Sequence, residues 1–152
     1  MDKLTFNKCS IMEVLAATDL VEEYADESAI NNMPRPSAQR DLYKNMESSG
    51  LLTTFGAFKN SELIGFVTII SSIMPHYGAK IAVTESFFVS KQYRKNGVGT
   101  KLLRIAERYS KETGAIGLLI SAPADGRLSK ALSLAPDYAL TNQVFFKRLD
   151  NV

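Results

Sequence analysis

The sequence predicts an α/β fold, a mixed sheet with helices packed on both of its faces. Three observations lead there. Extended apolar runs suited to strands recur from Leu51 onward. Between them lie stretches whose apolar residues return every three or four positions, the period of a helix with one buried side. The order along the chain is helices, then a hairpin, then strand, helix, strand, helix, strand, the alternation of a layered α/β domain. At 152 residues, 45% of them hydrophobic, the chain has the size of one domain, spanning 1–152, with enough apolar surface for a core.

Leu4 to Lys8 reads as a first strand. Ser10-Ile11-Met12-Glu13 is a capping box, in which hydroxyl and carboxylate satisfy N–H groups left unpaired at a helix start. Met12, Leu15, Ala16 and Leu20 follow at helical spacing, and Glu22-Glu23 and Asp26-Glu27 mark a solvated face or a second short helix. Met33-Pro34-Arg35-Pro36-Ser37 breaks the helix, since proline has no N–H to donate. A short helix is expected from Ser37 to about Ser49, stopped by Gly50. Leu51–Phe58 and Leu63–Ile73 are strands joined at Asn60-Ser61. The second is apolar on both parities and is expected at the sheet centre.

After the loop Met74–Gly78, Ile81–Val89 forms the next strand. A helix beginning at Val98 places Val98, Leu102, Ile105, Ala106 and Tyr109 on one stripe, with Glu107 and Lys111 as an exposed pair and Gly114 as the stop. Ile116–Ser121 reads as a short buried strand. Asp125 is expected to cap a helix with the stripe Leu128, Ala131, Leu132 and Ala135, ended by Pro136. Tyr138–Leu140 and Val144–Leu149 close the chain as a pair of strands.

Charge and composition exclude several functions. The formal net charge is +2 and no dense Lys/Arg block occurs, so nucleic acid is not an expected partner. The single cysteine, Cys9, provides neither an internal disulfide nor a Cys-rich metal site, and it reads as a small residue beside the first helix, the alternative being a nucleophile. No metal is expected. Met1-Asp2-Lys3 opens without an apolar signal core, and no apolar run reaches membrane length, so a cytoplasmic location is expected.

The most specific stretch is Arg94-Lys95-Asn96-Gly97-Val98-Gly99, between the strand ending at Val89 and the helix starting at Val98. A strand, a glycine-bearing turn and a helix aim main-chain N–H groups at an anion, because the first N–H groups of a helix lack internal partners and the helix dipole favours negative charge there. The spacing fits neither a P-loop, which needs Gly-Lys-Ser/Thr after four residues, nor a dinucleotide fingerprint, whose third glycine is replaced by Leu102. The remaining readings are a phosphate site or a ligand-free turn.

Arg-x-x-Gly-x-Gly, with Glu85–Tyr93 before it and Thr100–Leu103 after it, resembles the acyl-CoA-binding motif of the GCN5-related N-acetyltransferases (GNAT). Coarser similarity runs from about Leu51 to the C-terminus. The resemblance implies a mostly antiparallel central sheet of six to seven strands, splayed between the fourth and fifth, with acetyl-CoA as cosubstrate in the splay. It implies cofactor contacts from Phe87, Phe88, Val89, Arg94, Lys95, Asn96, Gly97, Val98, Gly99 and Thr100. His76-Tyr77-Gly78 followed by Glu85 is similar to members of phage or mobile-element type.

Glu85 is expected to share a face with Ile81, Val83, Phe87 and Val89. A carboxylate among apolar neighbours is costly unless paired or neutral, and desolvation makes it a better base near neutral pH. The resemblance implies a general base in this strand. The other reading is a glutamate at the sheet end or paired with a core Lys or Arg. His76, the one histidine, reads either as a second base or substrate contact or as a surface loop residue. The resemblance also implies an acidic tyrosine after the fifth strand, but Ser133 stands there, with Tyr138 nearby as a packing aromatic.

The sequence therefore predicts transfer of an acetyl group to a primary amine. The acceptor, small molecule or protein, is open, and a homodimer is compatible. A non-catalytic acyl-CoA-binding sensor is the alternative.

Overall fold

The computed structural model describes residues 3–29 and 33–150. Its sheet has five strands in the order of the chain: β1 (Leu4–Cys9), β2 (Leu52–Lys59), β3 (Glu62–Met74), β4 (Ala79–Val89) and β5 (Leu118–Leu119). The first four pair antiparallel and β5 joins β4 in parallel. β3 sits at the centre, with residues 64–69 buried throughout, as its unbroken apolar run requires. The β2–β3 turn is made by Asn60 and Ser61 at φ 50° and 72°, the left-handed geometry that matches the twist of a tight hairpin.

Helices cover both faces. On one lies α4 (Val98–Glu112), whose Val98, Leu102 and Ala106 are 1%, 0% and 0% exposed against Ala57, Val67, Ile69 and Val89. The expected stripe is the one that packs. Tyr109 sets its ring edge-on to Phe55, and its hydroxyl shares a 2.7 Å hydrogen bond with Thr53. On the other face lie α1 (Ile11–Ala16), α2 (Thr18–Glu27) and α3 (Arg40–Ser48). The capping box forms: the Ser10 N–H donates to Glu13 at 2.8 Å and the Glu13 N–H to Ser10 Oγ at 3.2 Å. The apolar pattern from Met12 to Leu20 is split into two helices by Ala17, at φ −81° and ψ 71°. Gly50, at φ 80°, lies just past the α3 C-cap.

The last third departs from expectation. Among the described residues the sheet has five strands, not six to seven. The buried strand expected over Ile116–Ser121 shrinks to Leu118–Leu119, with Ile116 74% exposed. Tyr138–Leu140 and Val144–Leu149 form no strands, and Val144 is 90% exposed. A strand needs a ladder partner, and a two-residue β5 offers almost none. α5 (Arg127–Leu134) takes Gly126 as its N-cap in place of Asp125, and it buries none of its residues. Glu107 pairs with Arg104 at 3.0 Å, one turn back, in place of the expected Lys111.

Candidate functional site

β4 carries the main candidates, and a bulge decides which way they face. Val67 pairs with Phe87 and Thr68 with Ser86, but Ile69 pairs with Thr84, so Glu85 is the extra residue. A bulge interrupts the side-to-side alternation of a strand. The expected common face of Glu85 with Phe87 and Val89 is thereby broken. Phe87 and Val89 join the α4 cluster, while Glu85 lines a cavity of about 350 Å³ beneath α1, α2 and α3.

Glu85 is also exposed to that cavity, where the sequence suggested desolvation among apolar neighbours. Its carboxylate is held by hydroxyls. The Tyr43 O–H donates to Oε1 at 2.5 Å and the Thr68 O–H to Oε2 at 2.7 Å. Thr68 Oγ1 also lies 2.5 Å from Ser86 Oγ. A carboxylate only accepts, so Thr68 spends its one proton on Glu85, and Ser86 donates to Thr68. Burial, followed by the bond to Glu85, pushes the Tyr43 phenol well above the usual range. Burial, followed by the Glu85 charge, raises Tyr24 as well. Both phenols therefore stay protonated near neutral pH, and Tyr43 remains a donor.

On the outer edge of the same strand, pairing with β5 stops at Val83 opposite Leu119. Among the described residues, the outward backbone groups of residues 84–89 thus have no strand beside them. The resemblance implies a splay between these two strands, and the open edge of β4 lies at that position. A 3₁₀ turn (Lys91–Asn96) then leads to Gly97 at φ 72°, the left-handed conformation in which glycine carries no Cβ penalty. Gly97 is the N-cap of α4 and provides no side chain, so no side-chain cap occupies the N–H groups of Val98, Gly99 and Thr100; the Lys101 N–H is the first to bond back, to the Gly97 carbonyl at 3.0 Å. Nothing lies within 4 Å of where a Gly97 Cβ would stand, and a Gly99 Cβ would meet the Phe87 ring at 3.5 Å. The turn is open to a ligand above and packed onto the β4 aromatics below.

The other expected residues divide. Phe88 is buried with Tyr24 and Phe66, and its ring belongs to the core beneath α1 and α2. Arg94 is already engaged: Nη2 donates to Glu27 at 2.7 Å, Nε donates to the Val89 carbonyl at 2.8 Å, and the guanidinium lies over Phe88. Its charge fastens the turn to α2. Lys95, Asn96 and Thr100 are exposed around the α4 N-terminus. His76 sits in the exposed β3–β4 turn, edge-on to Tyr77 at 4.8 Å. Glu85 is about 20 Å further along β4 at about 3.3 Å per residue, and the structure does not bring the two together. Ser133 donates to the Ser129 carbonyl at 2.8 Å, and Tyr138 donates to Glu107 at 2.5 Å. Cys9 is buried, and desolvation with Glu13 and Glu47 nearby pushes its thiol up to about 12, so it is no nucleophile.

A second hollow, about 440 Å³, lies between α2 and the 3₁₀ turn, lined by Glu23, Asp26 and Glu27. These acids are committed. Glu23 accepts from Ser90 Oγ and the Lys91 N–H, Asp26 from Arg35, and Glu27 from Arg94. Among the described residues no cluster of His, Cys, Asp or Glu is placed to hold a metal ion, and no helix is long and apolar enough to cross a membrane. Sequence reasoning missed Tyr43, Thr68 and Ser86. Tyr43 lies 42 residues before Glu85, and no local pattern joins them.

A family model described as the acetyltransferase (GNAT) family matches residues 17–128. No curated protein sequence matches. Solved structures resemble the fold. An aminoglycoside acetyltransferase from an uncultured soil metagenomic sample, in complex with sisomicin, aligns at TM-score 0.73 and 17% identity over 97% of each chain. The aminoglycoside N-acetyltransferase AAC(6')-Iy in complex with CoA aligns at TM-score 0.74 and 16% identity, over 98% of this chain and 96% of that one. A ribosomal-protein-alanine N-acetyltransferase from Brucella melitensis biovar Abortus 2308 aligns at 0.72 and 15% identity, over 96% and 99%.

Proposed function

The chain belongs to the acetyltransferase (GNAT) family, and on that premise we propose that it moves an acetyl group from acetyl-CoA to a primary amine. One observation carries the proposal. The bulge sets Glu85 into a cavity on one side of β4, while the unpaired outer edge of that strand leads to the uncapped start of α4. An acceptor pocket and an anion-binding turn thus meet along one strand. CoA complexes of a structural neighbour support acetyl-CoA as the donor.

The diphosphate of acetyl-CoA fits the N–H groups of Val98, Gly99 and Thr100, with Gly97 leaving room and Lys95 adding charge. Glu85, oriented by Tyr43 and Thr68, takes a proton from the acceptor ammonium. The free amine attacks the thioester carbonyl, the C–N bond forms, the C–S bond breaks to release thiolate, and the second proton of the attacking nitrogen passes to solvent or to the departed thiolate. Outward N–H groups between Phe87 and Val89 polarise the carbonyl. Most of the acceleration comes from holding the two reactants together. Because Ser133 and Tyr138 are bonded elsewhere, the thiolate, with a thiol pKa of about 8.5, leaves without an acid.

The test is thiol release from acetyl-CoA across a panel of amines, with CoA affinity measured by calorimetry. Release that needs both substrates supports the transferase reading. CoA binding without release for any amine leaves a binding module, and no CoA binding removes both.

A further inference from the structure

The cavity around Glu85 also specifies the acceptor. Its walls are Leu15, Val21, Leu42 and Met46 from the helices, with Tyr24 and Phe66 beneath. Among the described residues that line it, Glu85 alone is charged; Ser37, Gln39, Tyr43 and Ser86 are polar and neutral. A polycation needs several carboxylates at separate points, since each further ammonium left against apolar walls loses its hydration without compensation. The acids of α2 are engaged with groups of this chain. Glu22 and Asp26 hold Arg35 at 2.9 and 2.5 Å, Glu23 holds the Lys91 turn, and Glu27 holds Arg94.

We infer that the acceptor is a monoamine on an apolar body, an aryl- or alkylamine, whose ammonium meets Glu85 while its body lies against Leu15, Val21, Leu42 and Met46. The inference rests on the acetyl-transfer reading and narrows it. It separates this chain from its structural neighbour crystallised with the aminoglycoside sisomicin. The same chemistry occurs at the N-terminus of a peptide that begins with an apolar residue.

With saturating acetyl-CoA, kcat/KM is measured for 2-phenylethylamine, hexylamine, a peptide amide beginning Phe-Ala, spermidine and kanamycin. The first three are expected to exceed the last two by roughly tenfold or more, the discrimination an apolar pocket supplies. A free amine ahead of the peptide identifies a small-molecule acceptor, and the reverse order a chain terminus. Leu42 lies at the rim, 58% exposed, so Leu42→Asn preserves the fold. It should lower kcat/KM for 2-phenylethylamine about fivefold, more than for spermidine, with CoA affinity intact. Faster turnover of spermidine or kanamycin, or an equal loss on both classes in L42N, overturns the inference while acetyl transfer stands. Absence of turnover with every amine overturns the acetyl-transfer reading and this inference with it.

Discussion

On the α4 face of the sheet, Val98, Leu102 and Ala106 close against Ala57, Val67 and Val89 with almost no exposure. On the opposite face, α1, α2 and α3 stand off the bulge of β4 and leave about 350 Å³ open around a carboxylate. One strand serves both. Phe87 and Val89 belong to the filled side, and Glu85 belongs to the hollow one. The difference teaches that the bulge divides labour: it lets β4 anchor the core and present a charged group within three residues. Rigidity on the α4 side supports positioning on the other, since a site is held only as well as the elements beneath it.

The largest effect that breaks this comparison is in the filled face. Leu102→Ala removes a side chain with no exposure, and a loss of about 2–5 kcal/mol is expected from transfer and cavity terms together. Leu42→Ala, at the rim of the hollow face, should change stability by about 0.5 kcal/mol or less. Urea unfolding of both variants checks the contrast; equal losses would mean that the two faces are packed alike.

Next is the carboxylate. Glu85→Gln keeps the size but accepts no proton, and the acetylation rate should fall roughly a hundredfold or more with CoA affinity intact. The loss should shrink as pH rises towards the amine's own pKa, about 10.4 for an alkylamine, because free amine is then present without a base. Rates and a pH profile near those of the parent protein would remove Glu85 from the chemistry.

Gly97→Val tests the turn that both faces share. A β-branched residue is strained at φ 72°, and its bulk projects into the open space above the α4 N-terminus. CoA affinity should drop by roughly tenfold, the scale of a lost charge-assisted hydrogen bond. Unchanged calorimetric affinity would place the diphosphate elsewhere.

The smallest effects belong to residues outside the shared strand. Ser133→Ala and Tyr138→Phe should each keep kcat within about threefold, since their hydroxyls bond to Ser129 and Glu107. A loss on the hundredfold scale of acid–base catalysis, with CoA affinity intact, would identify the missing acid.

Much of the frame is legible in the chain because it is locally encoded. Ser10 and Glu13 cap α1 across three residues, Asn60 and Ser61 turn the hairpin, and the stripe from Val98 to Tyr109 is the one that packs. In each case the interacting groups are neighbours in sequence, so their spacing alone specifies the geometry. The glycine turn is legible for the same reason: Gly97 takes the positive φ at the start of α4.

Tertiary structure decided the rest. Whether Ile116–Ser121 and Val144–Leu149 become strands depends on an edge long enough to pair with, which apolar composition does not specify. Strand alternation put Glu85 with Phe87 and Val89, but the register of β3 against β4 inserted a bulge and turned it away from them. Tyr43 from α3 and Thr68 from β3 reach Glu85 only once helix and hairpin are folded together. His76, closer in sequence than Tyr43, is carried to the far end of the hairpin. Sequence by itself determined the elements through α4, the glycine turn and the family; register and packing decided the closing strands and which side chains meet, because those contacts join residues distant along the chain.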